Sequence, residues 1–215
     1  MEILAELLLT LLGTGLVPGA LPAIAAEGAA PEPRARLEAA PLCKRIVVAV
    51  DPPVTGHGKS DECGIVVVGA ITDGPPQNWR AVVLEDASVT GASPQQWAQA
   101  AIAAMERHKA DRLVAEVNQG GDLVEGVIRQ IDPLVPFRAV RATRAKAVRA
   151  EPVAALYEQG RVAHLRHLGA LESQMCQMTA QGYLGKGSPD RVDALVWALT
   201  DLMIDGDRKS TRLNS

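Results

Sequence analysis

Three carboxylates stand where short apolar segments would deliver them to one place. Asp51 closes the run Ile46-Val47-Val48-Ala49-Val50, Glu116 closes Leu113-Val114-Ala115, and Asp193 follows Ser188-Pro189-Asp190, a helix-start signal. Short runs rich in Val and Ile read as strands buried on both faces. A charge at the end of such a strand is costly unless it binds something, typically a cation. On neighbouring strands, Asp51 and Glu116 would lie side by side at one edge of the sheet. With Asp193 they make an oxygen-only ligand set, which suits Mg²⁺ or Mn²⁺ and needs neither histidine nor cysteine. The chemistry such a set supports is hydrolysis of a phosphodiester by two ions about 3.5–4 Å apart, clamping the attacking and leaving oxygens.

Other residues could join them. Asp190 lies one turn before Asp193 on the same side, either as a further ligand or simply as an acid complementing the helix dipole. Asp61 lies across the first strand–strand loop, as a fourth ligand or as a cap of that loop. Residues 193, 196, 197, 200 and 204 share a helical stripe on which Val196, Trp197 and Ile204 are apolar, so Asp193 should project from a packed face. Arg138, Arg141, Arg144, Lys146 and Arg149 fall in a stretch without Asp or Glu, although the whole chain has a net charge of −3. They read as a basic stripe that would contact phosphates, or as an ordinary solvated face. Asn118, in the turn Asn118-Gln119-Gly120-Gly121-Asp122, is a candidate substrate contact beside Glu116.

The elements that must position these groups follow from the pattern. Strands are expected at 45–50, 64–71 and 81–86, joined by short connections and therefore pairing as an antiparallel meander. A helix follows from the N-cap Ser93, with Pro94 at its first position, to His108. Strands at 111–117 and 137–142 come next, separated by a helix over 122–130. Helices at 151–159, 168–178 and 189–204 complete the pattern. Right-handed crossovers would set the fourth strand beside the first. The result is one α/β domain over 45–204: a mixed five-stranded sheet, three antiparallel strands then two parallel, with helices on both faces.

The chain has 215 residues, enough for one ordinary domain with flanking segments. Aromatics are scarce, so the core must be aliphatic. The three cysteines are widely spaced without a Cys-x-x-Cys, which argues against a disulfide framework or structural zinc and favours a reducing, cytoplasmic compartment. The four histidines form no His-Glu-x-x-His. Gly56-His57-Gly58-Lys59-Ser60 resembles the tail of a phosphate-binding loop. However, Pro53 occupies the position of the required first glycine and a strand rather than a helix follows, so no nucleotide site is expected. Residues 1–44 read as a poorly ordered or truncated linker. Glu2 and Glu6 stand where a secretory signal needs positive charge, and the apolar stretch is too short to span a bilayer, so no membrane partner is expected. Residues 205–215 read as a disordered tail.

Four segments taken together resemble the carboxy-terminal nuclease domain of tailed-phage terminase large subunits, of the prophage and gene-transfer-agent type. They are Val-Ala-Val-Asp51-Pro-Pro, Ser60-Asp61-Glu-Cys-Gly-Ile, Val-Ala-Glu116-Val-Asn-Gln-Gly-Gly-Asp, and Ser-Pro-Asp190-Arg-Val-Asp193-Ala-Leu-Val-Trp-Ala-Leu. The resemblance covers about 45–204. It implies a ribonuclease H-like fold and Mg²⁺- or Mn²⁺-dependent cutting of double-stranded DNA, concatemeric viral genomes being cut during packaging. By position, Asp51, Glu116 and Asp193 match the family's acidic triad, and Lys146 matches a basic segment expected near DNA. The portal, the small terminase subunit and a packaging ATPase domain are the partners it implies. Family members normally carry that ATPase at the amino terminus, and no Walker motif is present here, so the chain is expected to cut DNA without translocating it and to be a fragment of a longer protein. Two alternatives remain at this point: a Holliday-junction-resolvase-like nuclease, and a non-catalytic DNA- or portal-binding module.

Overall fold

The structure, a computed structural model, describes residues 36–53, 62–117, 121–143, 145–179 and 182–205. The strand Arg45–Asp51 (β2) shows how the fold is built. Alternate side chains of a strand point to opposite faces of its sheet, and in β2 both sets are apolar. Val47 and Ala49 join one core layer, Val48 and Val50 the other. The strand Glu62–Ile71 (β3) does the same, with Val66, Val68 and Ala70 on one face and Ile65 and Val67 on the other. Both faces must therefore be covered, and helices from both sides cover them.

Among the described residues the sheet has eight strands. Besides β2 and β3 these are β1 (Arg36–Leu37), β4 (Arg80–Asp86), β5 (Val89–Thr90), β6 (Arg112–Glu116), β7 (Phe137–Val140) and β8 (Val162–Leu165). Their order is β1-β8-β4-β3-β2-β6-β7, with β5 paired to the start of β3. The antiparallel meander β2–β3–β4 and the parallel pair β6–β7 stand as the sequence predicts. β6 runs parallel to β2 with Val50 opposite Ala115, so Asp51 and Glu116 follow at the same level. A small hairpin, β9 (Met178–Thr179) with β10 (Gly182–Tyr183), lies apart from this sheet.

On one face pack α1 (Pro94–His108) and α2 (Gly121–Ile131); on the other α3 (Lys146–Glu158), α4 (Gly169–Met175) and α5 (Asp190–Leu199). The start of α1 is fixed by a reciprocal cap. Gln96 N–H donates to Ser93 Oγ at 3.4 Å, and Ser93 N–H donates to Gln96 Oε1 at 2.8 Å. Two of the donors that a helix start leaves orphaned are satisfied in this way. α5 continues into a π-helical turn, Thr200–Ile204.

Several expectations need correction. β8 escaped the sequence reading because it is four residues long and carries a polar residue, His164, which is fully buried between Tyr157 Oη (2.7 Å) and Glu172 Oε1 (3.0 Å). β1, in the segment expected as linker, pairs with β8, and Arg36 reaches Glu172 at 2.9 Å. α3 starts at Lys146 rather than 151, because Pro152 lies inside the helix and not at its first turn. The amide bond Pro152 removes would have gone to the carbonyl of Val148, a residue left exposed, where water can serve. The π turn shifts the helical phase after residue 199. Asp201, Leu202 and Met203 are buried there, while Ile204 is half-buried against the same core layer as Val196 and Trp197. Among the described residues, no helix is long and apolar enough to cross a membrane.

Candidate active site

The site grows from the last residue of β2. Asp51 pairs with Gly64 on β3, and that glycine is required by what lies above it. A Cβ at residue 64 would sit 2.0 Å from the carbonyl oxygen of Asp190 and 2.9 Å from the backbone nitrogen of Arg191. No real side chain tolerates such distances from backbone, so only glycine lets the first turn of α5 rest directly on the strand. That approach carries Asp190 and Asp193 over Asp51. Ligand oxygens of Asp51, Asp190 and Asp193 all lie within 4.8 Å of one another.

A clamp holds α5 in this position. Arg191, the residue after Asp190, donates from Nη1 to Asp86 Oδ2 at 2.6 Å and from Nε to Glu62 Oε1 at 3.0 Å. Glu62 also accepts from Gln174 Nε2 at 2.7 Å, and Gln174 Oε1 accepts from the Arg191 backbone N–H at 3.2 Å. One guanidinium thus ties α5 to β3 and β4, while Gln174 of α4 ties in the third side. Planar, multidentate donation of this kind is what arginine supplies and lysine does not.

The electrostatics are those of a cluster short of positive charge. Burial, and then the charges of Asp193, Glu116 and Asp190, push the Asp51 carboxyl well above its usual range. Burial also raises Asp190 and Asp193, against the opposing pull of hydrogen bonds and of Lys146. For Lys146 burial acts downward, yet its bond to Asp193 and the surrounding aspartates leave its ammonium held above the usual value. Acids that resist ionising together favour a hard, oxygen-seeking cation among them. An all-carboxylate set of this spacing therefore fits a divalent metal ion.

The residues expected from sequence do not all meet at one point. Asp51 and Asp193 come together, and Asp190 completes their cluster. Glu116 stands at the neighbouring strand end but its Oε2 is engaged elsewhere, accepting from Arg149 Nη1 at 3.1 Å and Trp197 Nε1 at 2.6 Å. The described basic residues of 138–149 lie in different surroundings. Lys146 bonds Asp193 Oδ2 and donates to Ser188 Oγ at 2.8 Å. Arg149 is half-buried, its guanidinium 4.7 Å from the centre of the Trp197 ring and 3.6 Å from Asp193. Arg138 pairs with Asp201 and Asp205 at the other end of the strands, and Arg141 is exposed. Asp61, Asn118 and Arg144 lie outside the described residues, as do the glycine–lysine segment 56–60 and both expected terminal segments apart from 36–44 and Asp205.

Sequence reasoning missed Gly64 and the Arg191 clamp. The glycine had a usable signal, since a glycine inside an apolar strand marks a bulge or a close backbone approach. The clamp had none, because its members are 129 and 105 positions from Arg191 along the chain.

The sequence model of the terminase RNaseH-like domain matches residues 48–202. No curated protein matches the chain. Among solved structures, it is similar to the large terminase nuclease of thermophilic phage G20c, at 17% identity and a TM-score of 0.53, covering 74% of this chain and 82% of that one. That nuclease has also been solved with bound cobalt, magnesium and zinc. The human cytomegalovirus terminase nuclease domain is similar at 18% identity and a TM-score of 0.52, covering 73% and 82% of the two chains. The large terminase of thermophilic bacteriophage D6E aligns at 10% identity and a TM-score of 0.54, over 78% of this chain but 41% of that one. At these identities the structural likeness concerns the fold.

Proposed function

The chain belongs to the terminase RNaseH-like domain family, and from that premise we propose that it is a divalent-cation-dependent endonuclease cutting double-stranded DNA during viral genome packaging. The observation that carries this reading is the convergence of Asp51, Asp190 and Asp193 oxygens within 4.8 Å at the end of the central strands. These three would hold one ion, and Glu116 with Asp193 would contribute to a second. That the similar phage G20c nuclease has been solved with cobalt, magnesium and zinc bound supports a divalent ion in a protein of this fold. Bound there, divalent ions would activate water and offset charge developing on the leaving 3′-oxygen.

The chain's own residues do the rest. Gly64 and the Arg191 clamp keep Asp190 and Asp193 over Asp51, so the ligand oxygens are placed before any ion arrives. Among the described residues, Lys146 is well placed to meet a DNA phosphate, since its side chain is 46% exposed and bonds Asp193 of the cluster. A phosphate contact of this kind carries no sequence information and is salt-sensitive. Asn118 and Arg144 belong to the same proposal as further DNA contacts. The portal, the small terminase subunit and a packaging ATPase domain are the proposed partners, in the host cytoplasm.

Nicking of supercoiled plasmid tests the reading. Wild-type protein with Mn²⁺ should nick it, EDTA should stop the reaction, and Asp51→Asn and Asp193→Asn should both abolish it. Activity persisting in both variants, or absent from the wild type, would remove the proposal. Preferential cutting of four-way junctions over linear duplex would favour a junction-resolving enzyme instead.

A further inference from the structure

Positive charge from the chain itself already sits on the carboxylates. Arg149 donates from Nη1 to Glu116 Oε2 at 3.1 Å, and its Nη2 lies 3.6 Å from Asp193 Oδ1. The Trp197 ring backs the guanidinium, and the indole Nε1–H shares the same Glu116 oxygen at 2.6 Å. Unlike Lys146, Arg149 is enclosed, with 10% of its side chain exposed. It nevertheless fits imperfectly. Its buried Nε meets no acceptor among the described residues, and 3.6 Å is too long for a hydrogen bond to Asp193.

Resting on the metal-dependent reading above, we propose that Arg149 is an internal counter-cation. It holds Glu116 and Asp193 in place of a divalent ion, and Glu116 becomes a ligand only when Arg149 withdraws. The physical reason is competition for the same oxygens. Two carboxylates brought together under low dielectric need compensating charge whether or not metal is present. A guanidinium supplies it permanently, because it stays protonated at any working pH. A divalent ion offers twice the charge in a smaller volume, against a guanidinium whose donors are only partly matched. The two ion positions should therefore fill unequally. The Asp51–Asp190–Asp193 set gives up only a half-exposed contact, Lys146 on one oxygen of Asp193, whereas the Glu116 position opens only at the expense of an enclosed ion pair.

Calorimetric titration with Mn²⁺ of the wild type, Arg149→Met and Arg149→Lys tests this without measuring cleavage. Arg149→Met keeps apolar bulk against Trp197 but removes the charge. It should bind Mn²⁺ roughly tenfold more tightly, within the range usual for coupled sites, or take up one ion more. Arg149→Lys keeps the charge but loses the second donor arm, and should bind more tightly than wild type by a smaller factor. Adding Glu116→Gln to Arg149→Met should cancel the gain. A residue that merely supported the site would give weaker binding on removal, the opposite sign. Wild-type binding with no tightening in either Arg149 variant overturns the inference and leaves the metal-dependent reading intact. Absence of Mn²⁺ binding in wild type and variants alike overturns that reading, and the inference falls with it.

Discussion

Replacing Asp51 by Asn should make the metal-free protein more stable, although it removes a residue central to the proposed chemistry. The carboxylate oxygens of Asp51, Asp190 and Asp193 lie within 4.8 Å of one another. Two unit charges at that separation repel by about 3.5 kcal/mol at an effective dielectric constant near 20. Asp51 faces two such neighbours, while Lys146 draws back part of the repulsion. A net gain of about 1–3 kcal/mol is the reasonable remainder, and for a protein of this size each kcal/mol moves Tm by roughly 2–4 °C.

The sign with pH follows from the raised pKa of Asp51. A carboxyl whose folded pKa lies above its unfolded one contributes stability at acid pH and loses that share as pH rises through the folded value. The wild type should lose this share on going from acid to neutral pH, whereas the variant should not. The gap between them therefore opens as pH rises. Metal works against this gap: at a hundred times its Kd an ion adds about 2.7 kcal/mol to a protein that binds it only when folded. Thermal unfolding followed by far-UV circular dichroism, in EDTA and in Mn²⁺ across a pH series, reads all of this. A lower Tm for Asp51→Asn in EDTA near neutral pH, or a gap that ignores pH, would refute the account of the cluster as charge-frustrated.

Two further predictions concern how the cluster is held. Gly64→Ala places a methyl group 2.0 Å from the Asp190 carbonyl oxygen, so the first turn of α5 must lift away. Destabilisation of about 1–3 kcal/mol in urea unfolding is expected, together with loss of Mn²⁺ binding in calorimetry; an unchanged affinity would show that the close approach does not set the site. Arg191→Met leaves Glu62 and Asp86 without their guanidinium, at side-chain exposures of 17% and 8%. Stability in the same urea assay should fall by about 2–4 kcal/mol, as for other enclosed ion pairs robbed of one partner. Combining Arg191→Met with Glu62→Gln and Asp86→Asn in one chain should recover part of the loss.

Much of this protein could be read from its residues in order. The five central strands, their pairing and the juxtaposition of the Asp51 and Glu116 strand ends follow from apolar runs and short connections, because burial on both faces leaves a local mark. The Ser93 cap and the buried face of Asp193 are local in the same sense. Which charges meet is not local. Asp190 joins Asp51 and Asp193 because Gly64, on another strand, has no side chain to hold α5 away. Arg149, which reads as one charge in a basic run, is enclosed between Glu116 and Trp197 because α3 begins before Pro152 and carries it inward. Hydrophobic periodicity tells a segment which side to bury, whereas the partner of a buried charge is chosen by distances that exist only after the layers have packed.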